Sequence, residues 1–324
     1  MKAVVFSKYG SPDVLELKEV EKPTPKDDEV LIRVHAVSLN DWDVGALAGA
    51  DLVNRLIFGL WRPKIQILGS DIAGRVEAVG NNVKQFRTGD EVFGDVSGTW
   101  GGFAEYVCAR EAALILKVPS MTFEQAAAIP QAAMLALQGL RDTGRIQSRQ
   151  KILINGAGGG VGTFAIQIAK LYEAEITAID SASKLDMLRS MGAEHVIDYL
   201  QEDFTRSVQR YDLILDVKTS RSIFDCARAL TANGVYVTVG GSMARLVQGL
   251  LWRPWFAMTT NKRIRILALK PNKGLAYMNE LFESGAVVPV IDGLYKLQQV
   301  PEAFRHFGEG QHKGKVVITL CPRP

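Results

Sequence analysis

The segment Ile152-Leu-Ile-Asn155-Gly-Ala-Gly-Gly-Gly-Val-Gly162 carries the strongest structural signal in the chain, because an apolar strand runs into a glycine loop that opens a helix. The helix is indicated by apolar residues that recur at about the helical period of 3.6: Val161, Phe164, Ala165, Ile168, Ala169 and Leu171. Glycines let the backbone turn sharply and approach a phosphate, and the first N–H groups of a helix attract negative charge. The segment therefore predicts a site for a dinucleotide pyrophosphate.

The loop departs from the strict pattern G-x-G-x-x-G, because Ala157, Gly159 and Gly162 stand at its three glycine positions. The next strand, Glu175-Ile-Thr-Ala-Ile-Asp180, ends in an acid at about the 20-residue offset of a carboxylate that binds a ribose. The alternative is a tight strand-to-helix turn without a ligand. The complete series of strand, loop, helix, strand and acid favours the dinucleotide site.

The composition is that of an ordinary globular protein. The chain has 324 residues, of which 47% are hydrophobic and 23% charged, so it is long enough for two domains with buried cores. The formal net charge is only +3, and basic residues are interspersed with acidic ones. A nucleic-acid-binding protein concentrates positive charge in a patch, so we expect no nucleic-acid partner.

The sequence predicts a cytoplasmic protein without a membrane partner. Met1-Lys-Ala-Val-Val-Phe6 passes directly into a strand pattern and does not resemble a signal peptide. No apolar run reaches the roughly 18 residues that a membrane-spanning helix needs. Cys108, Cys226 and Cys321 are odd in number and far apart, which is typical of unpaired thiols in a reducing compartment.

Short strand patterns separated by turns fill the first part of the chain and predict a β-barrel-like domain. They lie at Lys2–Phe6, Glu29–Val37, Gly74–Val79, Glu91–Phe93 and Phe103–Val107. Six further strands alternate with helices and predict a doubly wound parallel sheet. They lie at Ile152–Asn155, Ile176–Asp180, His195–Asp198, Leu213–Asp216, Val235–Val239 and Arg265–Leu269.

The change of pattern gives the predicted domain boundaries. Thr122, followed by Glu124 and Gln125, caps an alanine-rich helix that runs toward Arg141 and is kinked at Pro130. We place a first, β-barrel-like segment at 1–121, a nucleotide-binding domain at 122–270, and a segment at 271–324 that returns to the first domain.

Two aromatic stretches, Leu56–Trp61 and Leu250–Met258, are candidates for a membrane-seeking surface. Arg55, Arg62, Arg253 and two prolines interrupt them. We therefore interpret both stretches as walls of a ligand cleft or as subunit contacts.

With these features in place, the chain resembles the medium-chain dehydrogenase/reductase superfamily, specifically its zinc-independent, quinone-oxidoreductase-like branch. The resemblance runs from end to end and rests on the order and spacing of several short motifs. Besides the glycine loop they are Lys2-Ala-Val-Val5, Val37-Ser-Leu-Asn40-Asp-Trp-Asp43, Gly69-Ser-Asp-Ile-Ala-Gly74, Val79-Gly80, Gly89-Asp90-Glu-Val-Phe-Gly94, Gly102-Phe-Ala-Glu-Tyr106, Gly192-Ala-Glu-His-Val-Ile-Asp-Tyr199 and Gly314-Lys-Val-Val-Ile318. It implies a GroES-like barrel domain, a Rossmann domain, and a substrate cleft where the two meet.

The residues argue against zinc. A catalytic zinc in the metal-dependent relatives needs cysteine and histidine ligands, and by resemblance the matching positions here are Asn40, Ser70 and Gln131. The structural zinc of those relatives needs four closely spaced cysteines, and residues 94–102 contain none. The four histidines show no pair at ligand spacing on one helix face, so we interpret them as core or surface residues: His35, His195, His306 and His312.

Without a Lewis acid, reduction of an activated double bond is favoured over reduction of a simple carbonyl. The resemblance makes Asn40 the candidate catalytic residue, which orients the substrate through its amide. The alternative is that Asn40 and Asp43 form an Asx cap that organises the end of the preceding strand. No tyrosine follows Asn40 closely, so the proton donor is unassigned and solvent is the default.

The residues give conflicting signals about the cofactor. Asp180 argues for NAD, because an acid at this position accepts hydrogen bonds from a ribose 2′-hydroxyl and repels a 2′-phosphate. By resemblance, Lys184 and Tyr199 match positions that hold the 2′-phosphate in NADPH-dependent quinone oxidoreductases, with Ser181 beside Asp180. Lys184 is able to cancel most of the repulsion, so we slightly prefer NADPH over NADH and expect the site to accept both.

The small residues at Val239-Gly240-Gly241 let a strand end approach the nicotinamide. Lys218 stands where the superfamily usually has glycine, and we interpret it as a solvated side chain. The predicted cofactor-binding residues are Gly156, Ala157, Gly158, Gly159, Gly160, Val161, Asp180, Ser181, Lys184, Tyr199, Val217, Val239, Gly240 and Gly241.

The sequence thus predicts a zinc-free, NAD(P)H-dependent reductase of quinones or α,β-unsaturated carbonyls. One alternative is a zinc-independent alcohol or aldehyde oxidoreductase. Another is a nucleotide-binding sensor or interaction protein with little turnover, suggested by Asp180, Lys218 and the missing tyrosine. The resemblance also implies a homodimer through the edge strand near Arg265–Leu269, whose apolar ribbon would otherwise be exposed.

Overall fold

The computed structural model of the protein describes residues 1–50, 52–241 and 243–320. The chain forms two compact units. The first unit combines Met1–Gln131 with Pro271–Glu283 and the chain from Ile291 onward, and the second combines Ala132–Lys270 with Ser284–Val290. Cys321 lies outside the described residues.

The described strands are β1 (Lys2–Val5), β2 (Glu16–Glu19), β3 (Glu29–Ser38), β4 (Asp71–Val79), β5 (Glu91–Asp95), β6 (Tyr106–Arg110), β7 (Ile115–Leu116), β8 (Lys151–Asn155), β9 (Glu175–Asp180), β10 (His195–Asp198), β11 (Tyr211–Asp216), β12 (Leu230–Thr238), β13 (Arg263–Ile266), β14 (Ile291–Lys296) and β15 (Lys315–Thr319). The α-helices are α1 (Asp41–Ala48), α2 (Leu52–Phe58), α3 (Phe123–Ala127), α4 (Pro130–Leu137), α5 (Gly160–Lys170), α6 (Leu185–Ser190), α7 (Ile223–Arg228), α8 (Met243–Thr259), α9 (Leu275–Glu283) and α10 (Val300–Gly308).

The first unit is built around a seven-stranded sheet in which β14, β15, β3, β4, β5 and β7 follow one another and β6 pairs with β3. The last strand, β15, runs antiparallel to β3, so both ends of the chain contribute to one sheet. Most of β3 is buried, and its apolar side chains form part of a core with β4 and Phe103.

The second unit contains a six-stranded, wholly parallel sheet in the order β10-β9-β8-β11-β12-β13, which confirms the predicted doubly wound sheet. Its central strands are nearly continuous apolar runs, because helices cover both faces of such a sheet. The strand order reverses between β8 and β11, and ligands of open parallel sheets bind outside the carboxyl ends of the strands at that reversal. The strand β13 forms one edge, and a homodimer through it stays a prediction.

The single kinked helix predicted from Thr122 toward Arg141 is wrong in detail. Two helices, α3 and α4, are followed by a stretch of π-helix at Gln138–Gly144. The interruption falls before Pro130, which has no N–H to continue the hydrogen-bond ladder of α3. The predicted cap is present, since the Thr122 hydroxyl accepts from Gln125 N at 3.2 Å. The helix α3 packs against β3 and β4, so the first unit extends to Gln131 rather than to the predicted boundary at 121.

Both aromatic stretches carry exposed apolar side chains. Leu56 and Trp61 are 64% and 86% exposed, and Leu250 and Leu251 on α8 are 58% and 71% exposed. Within the part of the chain that the structure describes, no helix is long and apolar enough to span a membrane. The assignment of these stretches to cleft walls or subunit contacts stays a prediction.

A buried carboxylate joins three strands at the reversal of strand order. Asp216, at the end of β11, is fully buried, and its Oδ1 accepts from Asn155 Nδ2 of β8 at 2.8 Å and from Thr219 N at 2.7 Å. Its Oδ2 accepts from the hydroxyl of Tyr236 on β12 at 2.8 Å. The carboxyl ends of β8, β11 and β12 are therefore fixed by one side chain.

Replacing Asp216 by alanine should lower the free energy of unfolding by about 3 kcal/mol, because its donors would be left buried without an acceptor. The matched control is Asp212→Ala on the same strand. Asp212 is half-buried and accepts from Lys151 N and Thr231 Oγ1, both at 3.0 Å, where water can replace it. We expect the control to cost less than about 1 kcal/mol in chemical denaturation, and equal losses would contradict the role of Asp216.

Candidate functional site

The glycine loop of the second unit is held to the end of β9 by its own backbone. Gly156 N and Ala157 N both donate to Ile179 O at 3.0 Å, and Gly158 N donates to Asp180 Oδ2 at 2.8 Å. Gly156 has φ +84°, a left-handed conformation that suits glycine. Three successive N–H groups are thereby satisfied before the helix begins.

The helix α5 approaches the loop so closely that Gly162 has no room for a side chain. A Cβ at this position would lie 2.4 Å from the Cα and O of Ala157 and from Gly156 O. The third glycine of a dinucleotide fingerprint serves this close packing of helix and strand. Ala157, at the first fingerprint position, is fully buried.

The amino end of α5 fits a phosphate. Gly159 is its N-cap and has no side chain to accept from the first turn, whose N–H groups have no carbonyl partner within the helix. A Cβ at Gly159 would meet only Gly156 O, at 3.9 Å, so the space beside this turn is open. The oriented N–H groups and the helix dipole attract an anion, and Gly159, Gly160 and Val161 would hold it.

Asp180 and Lys184 form a buried pair beside the loop. The Lys184 ammonium lies 3.4 Å from Asp180 Oδ1, and the two side chains are 3% and 9% exposed. Asp180 Oδ1 also accepts from Ser181 N at 2.9 Å. The stem of Lys184 lies against Gly158, where a Cβ would be 2.5 Å from Lys184 Cδ. Each carboxylate oxygen accepts about two hydrogen bonds, so Asp180 has capacity left for a ribose hydroxyl.

The other predicted cofactor residues also lie at the carboxyl edge of the parallel sheet. Tyr199 follows β10, donates its N–H to Asp180 O at 3.3 Å, and exposes half of its surface. Val217 follows β11 and donates to Asn155 O at 3.0 Å, and Val239 follows β12 and donates to Asp216 O at 3.0 Å. Gly240 has open space where a Cβ would be, whereas one at Gly241 would lie 2.4 Å from Thr219 Cβ.

Lys218 differs from its sequence interpretation in one respect. It is exposed, as expected of a solvated side chain, but its stem covers the loop. A Cβ at Gly156 would lie 2.9 Å from Lys218 Cγ. The lysine therefore helps to shape the floor of the nucleotide site.

Asn40 lies in the first unit, between β3 and α1, in a polar cluster of its own. Asp43 Oδ2 accepts from Asn40 N at 2.9 Å, which caps the start of α1. The amide makes other contacts: Oδ1 accepts from the Lys315 ammonium, and Nδ2 donates to Ser70 Oγ at 3.4 Å. The backbone of Asn40 thus serves the cap of α1, and its amide contacts Lys315 and Ser70. A role of this amide toward a substrate stays a prediction.

Three carboxyl groups surround this cluster. Asp43 and Asp71 are fully buried, and Asp71 lies opposite Asp95 in the pairing of β4 with β5. Burial raises the pKa of both Asp43 and Asp71 to about 7. Burial also lowers the pKa of Lys315, whose ammonium lies 3.6 Å from Asp71 Oδ2 and opposes the shift of that acid.

Comparison with known proteins identifies the family. Residues 26–120 match the alcohol dehydrogenase GroES-like domain, and residues 191–318 match the zinc-binding dehydrogenase family. The chain is 34% identical over 338 residues to 2-methylene-furan-3-one reductase of Solanum lycopersicum, covering 99% of this chain and 80% of the relative. The chain belongs to the medium-chain dehydrogenase/reductase superfamily, in its quinone-oxidoreductase-like branch.

Two further relatives agree with this medium-chain dehydrogenase/reductase assignment. The chloroplastic NADPH-dependent alkenal/one oxidoreductase of Arabidopsis thaliana is 34% identical over 334 residues, covering 99% of this chain and 80% of the relative. The structure of the quinone oxidoreductase from Coxiella burnetii matches with a TM-score of 0.88 at 27% identity and covers 99% of both chains. The resemblance drawn from the motifs and the GroES-like assignment are confirmed, and the protein is an oxidoreductase that uses a nicotinamide cofactor.

In this medium-chain dehydrogenase/reductase, the side chains at the three positions that by resemblance match zinc ligands do not fit that metal. Zinc prefers thiolate, imidazole and carboxylate ligands, whereas Asn40, Ser70 and Gln131 offer amide and hydroxyl groups. The Lys315 ammonium already bonds to Asn40 Oδ1, and a second cation at the same oxygen would be repelled.

Sequence reasoning missed two residues that organise the sites of this superfamily member. Lys315 belongs to the motif Gly314-Lys-Val-Val-Ile318 and is not among the predicted site residues. A lysine that opens an apolar strand is the signal by which the sequence could indicate it. Asp216 was read only as the end of a strand. Its role depends on Asn155 and Tyr236, which are 61 and 20 residues away in the sequence.

The loop geometry predicts the effect of Gly162→Ala. The added Cβ would push Gly156 and Ala157 away from α5, so the dissociation constant for NADPH should rise about tenfold or more. The matched control is Gly249→Ala in α8, whose Cβ would meet nothing closer than 3.6 Å. Nucleotide fluorescence titration measures both constants, and unchanged NADPH binding by the Gly162 variant would refute the packing argument.

Proposed function

We propose that the protein is a zinc-independent, NAD(P)H-dependent reductase of quinones or α,β-unsaturated carbonyls. The observation that carries the proposal is the Asn40 amide, whose Oδ1 accepts a hydrogen bond from the buried Lys315 ammonium, at a position that by resemblance holds a metal ligand in zinc-dependent relatives. The relatives from Solanum lycopersicum and Arabidopsis thaliana, a 2-methylene-furan-3-one reductase and an alkenal/one oxidoreductase, support this substrate class.

The chemistry divides between cofactor and protein. The reduced nicotinamide supplies a hydride, which in an enone adds to the β-carbon. Negative charge then develops on the carbonyl oxygen, and Asn40 Nδ2 donates a hydrogen bond to that oxygen. A donor aimed at developing charge is worth about 10²- to 10³-fold in rate. Solvent supplies the proton that completes the α-carbon.

The test compares an enone with the corresponding saturated ketone. We expect NADPH oxidation, followed at 340 nm, with the enone and with a quinone, and at least about 100-fold slower oxidation with the ketone, because an amide donor stabilises an alkoxide poorly. Equal rates would favour the alcohol or aldehyde oxidoreductase, and oxidation with none of a panel of enals, enones and quinones would favour a nucleotide-binding sensor.

We also propose that the site accepts both NADPH and NADH, with a small preference for NADPH. The Lys184 ammonium lies 3.4 Å from Asp180, and this partner offsets the repulsion between the carboxylate and a 2′-phosphate. The same carboxylate retains acceptor capacity for the 2′-hydroxyl of NADH. Ser181 and the exposed Tyr199 lie beside the pair and complete the proposed ribose site.

Two substitutions should shift the preference in opposite directions. Asp180→Asn keeps an acceptor for Gly158 N but removes the negative charge, so NADPH should bind about tenfold more tightly relative to NADH. Lys184→Met keeps an apolar stem against Gly158 but removes the positive charge, so NADPH should bind about tenfold more weakly relative to NADH. Fluorescence titration gives both ratios, and a ratio that neither variant changes would place the 2′-phosphate elsewhere.

A further inference from the structure

Lys315 is a buried cation whose contacts are all within the first unit. It opens β15 with only 2% of its surface exposed. Its ammonium donates to Leu39 O at 3.1 Å and to Asn40 Oδ1, and lies 3.6 Å from Asp71 Oδ2. A lysine carries three N–H donors, and each faces an oxygen here.

These contacts fix the orientation of the Asn40 amide. Lysine has no acceptor, so only the carbonyl oxygen of the amide can face it. The NH₂ group then faces away from the ammonium, with one hydrogen directed to Ser70 Oγ at 3.4 Å, and the Asn40 side chain also donates to the Asp71 carboxyl group. Rotation of the amide would bring NH₂ against an ammonium and is excluded by repulsion between the two donors.

The same contact changes the amide electronically. A positive charge at Oδ1 withdraws electron density from the amide and makes its N–H groups stronger donors. Chains of hydrogen bonds polarise one another in this way where the local dielectric constant is low. Such polarisation is largest where water is excluded, and Asn40 is only 6% exposed.

We propose that Lys315 is a positioning residue that takes the place of the metal: it holds the Asn40 amide with its NH₂ group turned away from the ammonium, so that one N–H is offered to the substrate oxygen, and it strengthens that N–H as a donor. The inference rests on the proposed function of Asn40 and deepens it. Lys315 does not touch the substrate and gives up no proton; it acts through Asn40.

The matched control is Lys117→Met. Lys117 is also buried in the first unit, where its ammonium donates to Val118 O at 3.1 Å and Met121 O at 2.7 Å and lies 2.9 Å from Glu91. Lys117→Met therefore measures the general effect of removing a buried lysine whose contacts, as given above, do not include Asn40.

The test compares Lys315→Met, Asn40→Ala and the double variant in the full chain. Asn40→Ala should lower kcat with an enone about 10²- to 10³-fold and Lys315→Met about 10- to 100-fold, with KM for NADPH unchanged in both. The double variant should be no more than about threefold slower than the slower single variant, because one residue acts through the other. Lys117→Met should keep kcat, and multiplied losses in the double variant would overturn the proposal.

Two readouts separate positioning from loss of folded enzyme. With NADPH deuterated at the transferred position, Lys315→Met should show a larger isotope effect on kcat, whereas a smaller active fraction would leave it unchanged. Lys315→Arg, which keeps the charge and the donors, should recover at least about a third of the lost kcat. If Lys315→Met does not fold, the positioning role is tested with Lys315→Arg alone. The KM and the isotope effect of that variant are then compared with those of the wild-type protein.

An experiment without turnover keeps the inference separate from the proposed function. In nuclear magnetic resonance spectra, the side-chain N–H signals of Asn40, assigned by their disappearance in Asn40→Asp, should exchange with solvent at least tenfold faster in Lys315→Met and unchanged in Lys117→Met. Unchanged exchange in Lys315→Met would refute the positioning role. If the wild-type protein reduces no enone or quinone, the proposed function fails while this exchange still decides whether Lys315 holds the amide.

Discussion

The antiparallel pairing of β15 with β3 is the constraint on which the first unit depends. It joins the end of the chain to a strand near its start and sets Val317 opposite Ser38, two residues before Asn40. That register places Lys315, at the first position of β15, beneath Leu39 and Asn40. A shift of one residue would turn the lysine to the other face of the sheet and leave the acids Asp43 and Asp71 buried without their cation.

The second unit holds its glycine loop firmly and at the same time leaves a site for an anion open. The loop satisfies its own N–H groups against Ile179 O and Asp180, and Lys184 in turn pairs with that carboxylate. The N–H groups at the start of α5 remain directed outward for a phosphate. Asp180 therefore serves the architecture of the loop as well as the proposed ribose contact, and an acid at this position is consistent with the proposed binding of NADPH.

Much of the fold could be predicted from the sequence, because apolar periodicity and glycine spacing report local structure directly. The six parallel strands and the loop before α5 are such cases, and the Thr122 cap is another. The Asn40 cluster could be predicted only in part. Asn40 and Asp43 are close in sequence, whereas Lys315 contacts Asn40 across 275 residues, and no local pattern specifies which distant strand will lie beneath it. The sequence predicts one kinked helix where the structure has the two helices α3 and α4. The missing N–H of Pro130 ends one helix and starts the next, rather than bending a single helix.

A lysine behind an amide also bears on which substrates the site can serve. A metal bonds directly to an oxygen and stabilises localised charge, as on an alkoxide, whereas in the proposed arrangement the single charge of Lys315 acts on the substrate only through Asn40. That weaker effect suffices where the developing charge is delocalised, as in the enolate of an enone or the reduced ring of a quinone. The buried position of Lys315 makes the arrangement possible, since the same charge in water would polarise the amide very little. The electrostatics of the Asn40 cluster and the conjugated substrates proposed for the protein are thus two aspects of one constraint.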